Sequence, residues 1–446
     1  MKMASIAVNS SIAPLPELDY FRLQHTQGSV ERVYFVDKYT SSTDTNSSIL
    51  EFVIPKSGQD FVDLQRTHLQ VKVKLLKAGT GKPGDTVPKV PPALADEVGP
   101  INLLLQSMFS QIDITMNNTN VSAASSNYAY RAYIPVTLCY EKNLKNTWLT
   151  SQLYAKDQGD MDSTTPSSAL NKGLQNRSSF TEGGATLELK GPLYSYIWQS
   201  MRWILPGIDI RIAARRNIDK FILMANKPEK KYELYVMEAK LNICYCSLFT
   251  PAYNALEAAL SVSPAKYPLT RAIVKNYSIS QSEQSKVFED IFSGKIPSKV
   301  VIGFVSDEAY NGSFKANPFN FQHFNISFLS VYCNGVAVPH NGYELEWNTI
   351  FKKNTVYVDA FTNLFDFDTT PESIDITRED FCNGYALFVF SIEQAAKSTM
   401  LPLYKTGNLR IELKFKTQLP KGIQMIVYGQ FPYILTIDKN RQIILE

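Results

Sequence analysis

Apolar and polar residues alternate along several short stretches of the chain. In residues 67–75, Leu69, Val71, Val73 and Leu75 are each separated by one polar residue. Successive side chains of a strand point to opposite faces, so this pattern predicts a strand with one buried face. Similar patterns predict further strands at 30–36, 111–116, 207–212 and 409–416.

Helical periodicity is scarce, and turn residues separate the predicted strands. Short helical candidates occur only at 252–260 and 392–397, and neither has an apolar stripe long enough to form a layer of the fold. Asn334-Gly335 lies between two strand-like runs and predicts a hairpin with positive φ at both turn residues, and Asn117-Asn118 is a looser version. Parallel sheets would need crossover helices, so the pattern predicts antiparallel sandwiches.

The two halves of the chain follow similar patterns. Gly207 and Gly407, which are 200 positions apart, each precede an alternating strand and then a longer apolar run. This spacing predicts a duplicated β domain. We expect a flexible arm at 1–27, a first domain at 28–250, a linker at 251–266 and a second domain at 267–446.

Two long segments interrupt the predicted strands. Residues 77–98 are rich in Pro and Gly, and residues 157–186 are rich in Gly, Ser and Thr. We expect both to be surface insertions, and loops of this length are uncommon in compact domains unless they have a function.

The composition narrows the class of protein. The chain has 446 residues, of which 44% are hydrophobic and 12% aromatic, which excludes disorder and suits about two domains. Its 45 Lys and Arg against 42 Asp and Glu leave a net charge of +3. That balance argues against a protein that works mainly by coating nucleic acid or an anionic membrane.

No apolar run approaches the length of a membrane helix, and the N-terminus lacks the apolar region of a secretory signal. We therefore expect a soluble chain made inside the cell. Its five cysteines are an odd, scattered set, typical of buried reduced thiols. They are Cys139, Cys244, Cys246, Cys333 and Cys382.

The sequence offers no convincing catalytic or cofactor site. Residues 78–83 resemble a phosphate-binding loop, but Leu76 stands at the required first glycine and Pro83 replaces the Ser or Thr. Gly-x-Ser-x-Gly is absent, and no Cys with a plausible His partner stands out. The histidines lack metal-ligand spacing, and we expect surface or satisfied core positions for all four. They are His25, His68, His323 and His340.

Three weaker candidates remain. Cys244 and Cys246 would share a sheet face and could begin a metal site, but core packing is the favoured interpretation. Asp366, Asp368, Glu372 and Asp375 form an acidic loop without EF-hand spacing, for which we expect solvation. A basic stretch is expected to be a solvated loop, with contact to single-stranded nucleic acid as the alternative. It comprises Arg215, Arg216, Lys220, Phe221, Lys227, Pro228, Glu229, Lys230, Lys231 and Tyr232.

The amino-acid sequences of several segments resemble those of the double-jelly-roll major capsid proteins of Maverick/Polinton elements and adintoviruses. The resemblance runs from about Val30 to the C-terminus, with the segments in the expected order. The proline-rich 82–92 and Asp160, where relatives tend to carry His, depart from the pattern. The similar segments are 67–73, 98–105, 109–113, 130–133, 304–314, 317–321, 383–385, 407–412 and 437–441.

The resemblance implies two tandem eight-stranded antiparallel jelly rolls, with short helices in the loops. It also implies a homotrimeric capsomer with a pseudo-hexagonal outline, in an icosahedral shell of a DNA virus. The arm and the two insertions would make tower, intersubunit or intercapsomer contacts.

The implied partners are further copies of the chain and a single-jelly-roll minor capsid (penton) protein. Neither a small-molecule substrate, membrane insertion nor specific nucleic-acid contact is expected. Nor do we expect enzymatic activity, or catalytic, cofactor-binding or metal-binding residues. The expected location is the virion capsid, after synthesis in the host cytoplasm and assembly in the nucleus or cytoplasm.

Three alternatives stay open from the sequence. A β-sandwich that binds carbohydrate or a receptor could use exposed tryptophans, which are Trp148, Trp198, Trp203 and Trp347. A jelly-roll enzyme would need a bound metal. A domesticated cellular relative would keep the fold without building particles.

Overall fold

A computed structural model gives the arrangement of the strands predicted above. It describes residues 20, 26–42, 44–56, 58–78, 89–93, 96–122, 126–168, 170–348, 353–367, 374–393 and 403–445. Residues 1–19 and 21–25 of the predicted arm at 1–27, the phosphate-loop-like residues 79–83 and the helical candidate from 394 onward lie outside the described residues.

The first half of the chain forms two principal antiparallel sheets. One has the order β1-β11-β3 with β4 and β8 along the far edge of β3, and the other has the order β2-β9-β6-β7. Strands β5 and β10 pair separately. The strands are β1 (Val30–Tyr39), β2 (Ile49–Ile54), β3 (Phe61–Ala78), β4 (Lys89–Val90), β5 (Val98–Pro100), β6 (Phe109–Met116), β7 (Thr119–Asn120), β8 (Leu187–Gly191), β9 (Ile210–Arg216), β10 (Leu223–Ala225) and β11 (Tyr232–Leu248).

The second half repeats this arrangement. One sheet has the order β12-β23-β15-β20 with β24 beside β23, and the other has the order β13-β22-β16-β17. Two small two-stranded pairs, β14-β21 and β18-β19, accompany them. The strands are β12 (Ala265–Ile279), β13 (Ser285–Phe288), β14 (Lys295–Ile296), β15 (Lys299–Ser306), β16 (Ile326–Cys333), β17 (Val336–Glu344), β18 (Glu346–Asn348), β19 (Lys353–Val356), β20 (Leu387–Ser391), β21 (Lys405–Thr406), β22 (Leu409–Phe415), β23 (Ile423–Ile437) and β24 (Ile443–Leu445).

Each half is an eight-stranded jelly roll. The eight principal strands are β1, β2, β3, β6, β7, β8, β9 and β11 in the first half and β12, β13, β15, β16, β17, β20, β22 and β23 in the second. When they are numbered 1 to 8 along the chain, one sheet has the order 1-8-3-6 and the facing sheet has the order 2-7-4-5. Both halves give the same two orders. All of the strand pairs formed by described residues are antiparallel. The predicted fold class, two tandem eight-stranded jelly rolls with short helices in the loops, is confirmed.

The predicted turns occupy equivalent places in the two jelly rolls. Asn117 and Asn118 join β6 to β7 with φ of 43° and 69°, and Asn334 and Gly335 join β16 to β17 with φ of 51° and 84°. Positive φ at both positions matches the twist of a two-residue hairpin, as expected. Gly207 and Gly407 likewise precede the equivalent strands β9 and β22, although β9 begins only at Ile210.

Helices lie in the connections between strands. Helix α6 confirms the candidate at 252–260 and joins the last strand of the first jelly roll to the first strand of the second. The helices are α1 (Leu104–Ser107), α2 (Tyr128–Cys139), α3 (Lys142–Asn146), α4 (Lys172–Ser179), α5 (Asp219–Ile222), α6 (Thr250–Val262), α7 (Asp307–Asn311), α8 (Val358–Thr362) and α9 (Arg378–Cys382). Single 3₁₀ turns span Trp148–Gln152, Glu182–Gly184, Tyr196–Gln199, Pro228–Lys230 and Asn363–Asp366.

Helix α2 was missed by the sequence analysis. Ten of its twelve residues are buried, on all sides of the helix, so it has no polar face and no amphipathic period. Pro135 also stands inside it, a residue that ordinarily ends helices. Burial between the two jelly rolls outweighs both signals.

The expectation that 157–186 is a surface insertion is wrong for part of the segment, although most of its described residues are exposed or half-buried. It contains α4, and Asp157, Asn171, Leu174 and Arg177 have almost no exposed surface. The predicted boundaries of the domains and linker are not tested independently and stay a prediction.

Candidate functional site at the junction of the two jelly rolls

The two jelly rolls meet through a cluster of aromatic rings. Tyr133 of α2 stacks on Phe319 with 4.0 Å between ring centroids and 5° between ring planes. Tyr130, one turn earlier on α2, meets the same Phe319 edge to face at 5.8 Å and stacks on Tyr310 at 6.1 Å. Phe321 completes the cluster. Parallel and edge-on rings at these distances add attraction beyond the area they bury, so the contact is specific as well as apolar.

A buried ion pair lies beside this aromatic cluster. Arg177 Nη2 of α4 lies 2.7 Å from Asp157 Oδ1, and the two side chains are 1% and 0% exposed. The guanidinium also donates to the carbonyl oxygens of Pro100, at 3.0 Å, and Ala155, at 2.6 Å. A buried charge is tolerated when it is paired and its donors are satisfied, which is the case here.

The acidic partner of that pair also binds the second jelly roll. Asn317 Nδ2 donates to Asp157 Oδ2 at 3.4 Å, and the Tyr385 hydroxyl donates to the Asp157 carbonyl oxygen at 2.9 Å. Asp162 accepts from the Asn317 backbone N–H at 2.8 Å and from Asn320 Nδ2 at 2.7 Å. Burial raises the pKa of Asp162, and these two donors oppose the rise. The insertion therefore connects the two jelly rolls of one chain.

Lys156 forms ion pairs next to these contacts. Lys156 Nζ lies 2.8 Å from Asp380 Oδ2 and 3.7 Å from Asp375 Oδ1, and it also donates to the Asp375 carbonyl oxygen. Burial alone would raise the pKa of Asp380, but the Lys156 ammonium and the Thr377 hydroxyl and N–H hold it below its usual value. Asp375 of the predicted acidic loop is thus paired with lysines. Asp368 and Glu372 lie outside the described residues.

A second set of contacts joins the halves at the C-terminal end. Arg441 donates through Nε to the Pro206 carbonyl oxygen at 2.8 Å and through Nη2 to Glu257 Oε1 at 2.6 Å. Asn117 Nδ2 donates to the Arg441 carbonyl oxygen at 3.0 Å. A hairpin turn of the first jelly roll and helix α6 are therefore tied to the end of the second.

Three segments that carry the family resemblance meet at this junction. Residues 130–133 supply the α2 rings, 317–321 supply Asn317 and the two phenylalanines, and 383–385 supply Tyr385. Sequence analysis had assigned them no shared role, because nothing in the pattern places segments almost 200 residues apart in contact. Arg177 and Asp157 were missed for the same reason.

The thiols of Cys244 and Cys246 lie in an apolar cluster with Phe61, as predicted for core packing. Burial raises the pKa of the Cys246 thiol to about 12 and raises that of Cys244. A carboxylate oxygen of Asp63 and the two sulfurs lie within 4.8 Å of one another. Among the described residues, this is the one group of three side chains close enough to hold a metal ion. The Asp63 carboxylate already accepts from Trp203 Nε1 at 3.1 Å.

The three histidines that the structure describes do not come together. His323 stacks on Trp347 at 3.9 Å, and its Nδ1 accepts from the Asn325 N–H. Burial lowers its pKa to about 4. His68 is half-buried in β3 with a lowered pKa for the same reason, and His340 is exposed. His25 lies outside the described residues.

The basic stretch does not expose its aromatic residues. Phe221 and Tyr232 are buried, so neither ring is available to stack on a nucleobase. Arg216 donates to the Leu234 carbonyl oxygen, and Lys230 pairs with Asp96. The alternative of single-strand nucleic-acid contact therefore loses its stacking platform in this region.

The tryptophans offer little for sugar stacking. Trp198 and Trp347 are buried, and Trp203 covers the cysteine cluster. Trp148 is 40% exposed.

Strand β1 instead presents a stripe of exposed apolar side chains. Val33, Phe35 and Tyr39 are 40%, 52% and 61% exposed and lie on one face of an edge strand, where Asp37, paired with Lys240, stands between Phe35 and Tyr39. Exposed apolar groups in a row mark contact surfaces more often than scattered ones do. We call Val33, Phe35 and Tyr39 the β1 stripe.

Among the helices in the described part of the chain, none has the length and apolar character needed to span a bilayer. All five cysteines are described, and they form no disulfide with one another.

Comparisons with known proteins agree with this architecture. A chain of the Sputnik virophage superposes with a TM-score of 0.64 at 12% identity, covering 100% of this chain and 94% of that one. The Faustovirus major capsid protein gives 0.55 at 8% identity over 93% and 92%, and the mavirus major capsid protein gives 0.52 at 10% over 100% and 97%. The fold is the double jelly roll. Sequence identities this low establish the double-jelly-roll fold and do not establish a shared function.

One relative is similar in sequence. The uncharacterized protein F54H12.2 of Caenorhabditis elegans is 27% identical over 414 residues, which cover 89% of this chain and 93% of the relative. No protein-family model matches the chain.

Proposed function

We propose that the chain is a major capsid protein of the Maverick/Polinton and adintovirus type. Its function would be structural: three copies form a capsomer, and capsomers tile an icosahedral shell. The observation that carries the proposal is the side-by-side pair of jelly rolls with the same strand order, fixed to each other by a buried junction. The likeness to the Faustovirus and mavirus major capsid proteins supports it.

The junction explains how one chain could serve as a tile. Two similar jelly rolls in each of three copies give six similar lobes, so a threefold assembly has a nearly sixfold outline. That outline packs on a flat face only if the two lobes keep a fixed relation. Buried ring stacking and a buried ion pair supply such a fixed relation, because repacking them would expose apolar surface and an unpaired charge.

The partners follow from this role. Copies of the same chain would meet through exposed apolar surface, for which the β1 stripe is the leading candidate. A net charge of +3 keeps repulsion among many copies small at physiological salt. A single-jelly-roll penton protein would close the vertices. The proposal places the chain in the virion capsid and gives it no enzymatic activity or small-molecule substrate.

A second candidate is a domesticated cellular relative that has kept the fold without building particles. The similarity to a nematode protein over 89% of this chain favours it, since a double jelly roll of this type then occurs in an animal protein. The carbohydrate-binding alternative has no comparable support, because Trp198 and Trp347 are buried.

Expression of the chain alone tests the proposal. Mass photometry of the purified protein should give a dominant species near three times 50.3 kDa. A single-copy species at every concentration would contradict the capsomer and favour the domesticated relative. A glycan-dependent rise in melting temperature of a single-copy species would favour the carbohydrate-binding alternative.

A further inference from the structure

Two arginines lie near each other at the junction without an acidic partner among the described residues. Arg131 is on α2 of the first jelly roll, and Arg271 is on β12 of the second. No ion pair within 4.0 Å connects either guanidinium to a described carboxylate. The Nε–H groups of both are buried and have no hydrogen-bond partner in the part of the chain that the structure describes. We call Arg131 and Arg271 the arginine pair.

Tyrosine rings pack against both guanidinium groups of the arginine pair. The Arg131 guanidinium carbon lies 5.1 Å from the centroid of the Tyr128 ring, and that of Arg271 lies 5.8 Å and 5.2 Å from the Tyr196 and Tyr433 rings. Ring faces stabilise a cation, but they accept no strong hydrogen bond from it.

Burial makes the missing counter-charge costly. Arg131 is 5% exposed. Burial lowers the pKa of Arg131, the Tyr128, Tyr428 and Tyr196 side chains oppose that, and the Arg271 charge lowers it further. A buried charge left without a partner is strongly destabilising, and the nearby second cation increases the destabilisation.

Arg177 offers a comparison, because it is a buried arginine whose guanidinium has hydrogen-bond acceptors. Arg177 is 1% exposed, and its guanidinium donates to Asp157 and to two carbonyl oxygens. At the arginine pair, the side-chain hydrogen bond among the described residues is the long contact from Arg271 Nη2 to the Ser122 carbonyl oxygen, at 3.4 Å. The pair therefore has donors and positive charge in excess of the described acceptors.

We propose that the arginine pair binds a small inorganic oxyanion of the phosphate class between the two jelly rolls. Two guanidinium groups offer several donors and two positive charges, a set that matches a tetrahedral anion. The phosphate chemistry could also come from a nucleic-acid backbone, but 5% exposure of Arg131 suits a free ion rather than a polymer. The bound anion would link α2 to β12 and stabilise the junction.

The test uses the full chain in buffer free of phosphate and sulfate, at constant ionic strength. Inorganic phosphate is added while the melting temperature and the heat of binding are measured. We expect the melting temperature to rise with phosphate concentration, as mass action requires for a ligand of the folded state. Arg131→Met and Arg271→Met should each weaken phosphate binding by about tenfold or more. Arg215→Met, at an exposed arginine, should bind as the wild type does.

A second measurement separates loss of binding from loss of folding. In phosphate-free buffer, Arg131→Met should melt at or above the wild-type temperature, because the substitution removes an uncompensated buried charge. No effect of phosphate on the wild type, or equal effects on the wild type and both pair variants, would overturn the proposal. A rise caused by a single-stranded oligonucleotide and not by inorganic phosphate would overturn it as well.

Discussion

The ring of Tyr133 lies flat on the ring of Phe319, with 4.0 Å between the centroids, and neither side chain has exposed surface. Tyr133 belongs to α2 of the first jelly roll, and Phe319 belongs to the second. A single continuous core therefore runs from one jelly roll into the other. The two jelly rolls are expected to unfold together, since separation would expose apolar surface on both.

Phe319→Ala should destabilise the whole chain. Removal of a fully buried phenylalanine costs about 3–5 kcal/mol, because the lost apolar contact adds to the cavity left behind. Urea unfolding followed by fluorescence measures this change in the free energy of unfolding. Phe180→Ala is the matched control, since Phe180 is 55% exposed and its loss should change that free energy by less than about 0.5 kcal/mol. Equal effects of the two substitutions would contradict the shared core.

The pair formed by Arg177 and Asp157 should show strong coupling. Arg177→Met leaves a buried carboxylate without its cation and should cost about 3–5 kcal/mol. The double variant with Asp157→Asn removes both charges and should cost less than the sum of the single changes. Unfolding free energies of the four proteins give the coupling. Simple additivity would show that the ion pair contributes nothing specific to the junction.

Acid should destabilise the chain through His323. Burial lowers the pKa of this imidazole to about 4, against 6.5 when it is unfolded. Between these values the unfolded chain takes up a proton that the folded chain excludes, so the free energy of unfolding falls as pH drops from about 6.5 to about 4. The full effect is up to about 3 kcal/mol.

His323→Phe keeps a ring against Trp347 but cannot titrate. The variant should therefore lose this part of the pH dependence, which unfolding curves at pH 7, 6, 5 and 4 measure. His340→Phe, at an exposed position, should keep the wild-type slope. An unchanged slope in His323→Phe would mean that another group causes the acid sensitivity.

Phe35→Asp in the β1 stripe should weaken self-association and leave the fold intact. A charge at a contact surface must be desolvated when copies meet, whereas the same charge on the isolated chain stays in water. Mass photometry across a dilution series should show the assembled species lost at higher protein concentration than in the wild type. Val262→Asp, at a position 87% exposed on α6, serves as the control. If both variants assemble like the wild type, the β1 stripe is not a contact surface.

The sequence predicted strands and turns well, because local pattern determines them. The alternation of Leu69, Val71, Val73 and Leu75 became one face of β3, with all four side chains buried. Asn334-Gly335 forms a turn because those two residues accept positive φ at low cost. The duplication was visible through such local features in both halves.

The junction could not be predicted in the same way. Tyr133 and Phe319 are distant in sequence, and α2 is buried on every side, so no amphipathic pattern reveals it. Asp157 and Arg177 stand in a segment whose Gly, Ser and Thr content suggested a surface loop. Its burial depends on a partner surface that only the tertiary fold provides.

The central claim is that one chain supplies two lobes in a fixed relation and that three chains make a six-lobed unit. Electron microscopy of the purified assembly, with two-dimensional class averages viewed along its symmetry axis, tests it most directly. The account predicts a pseudo-hexagonal outline with threefold symmetry. Averages that show separate two-lobed particles, or rings with another number of lobes, would contradict it.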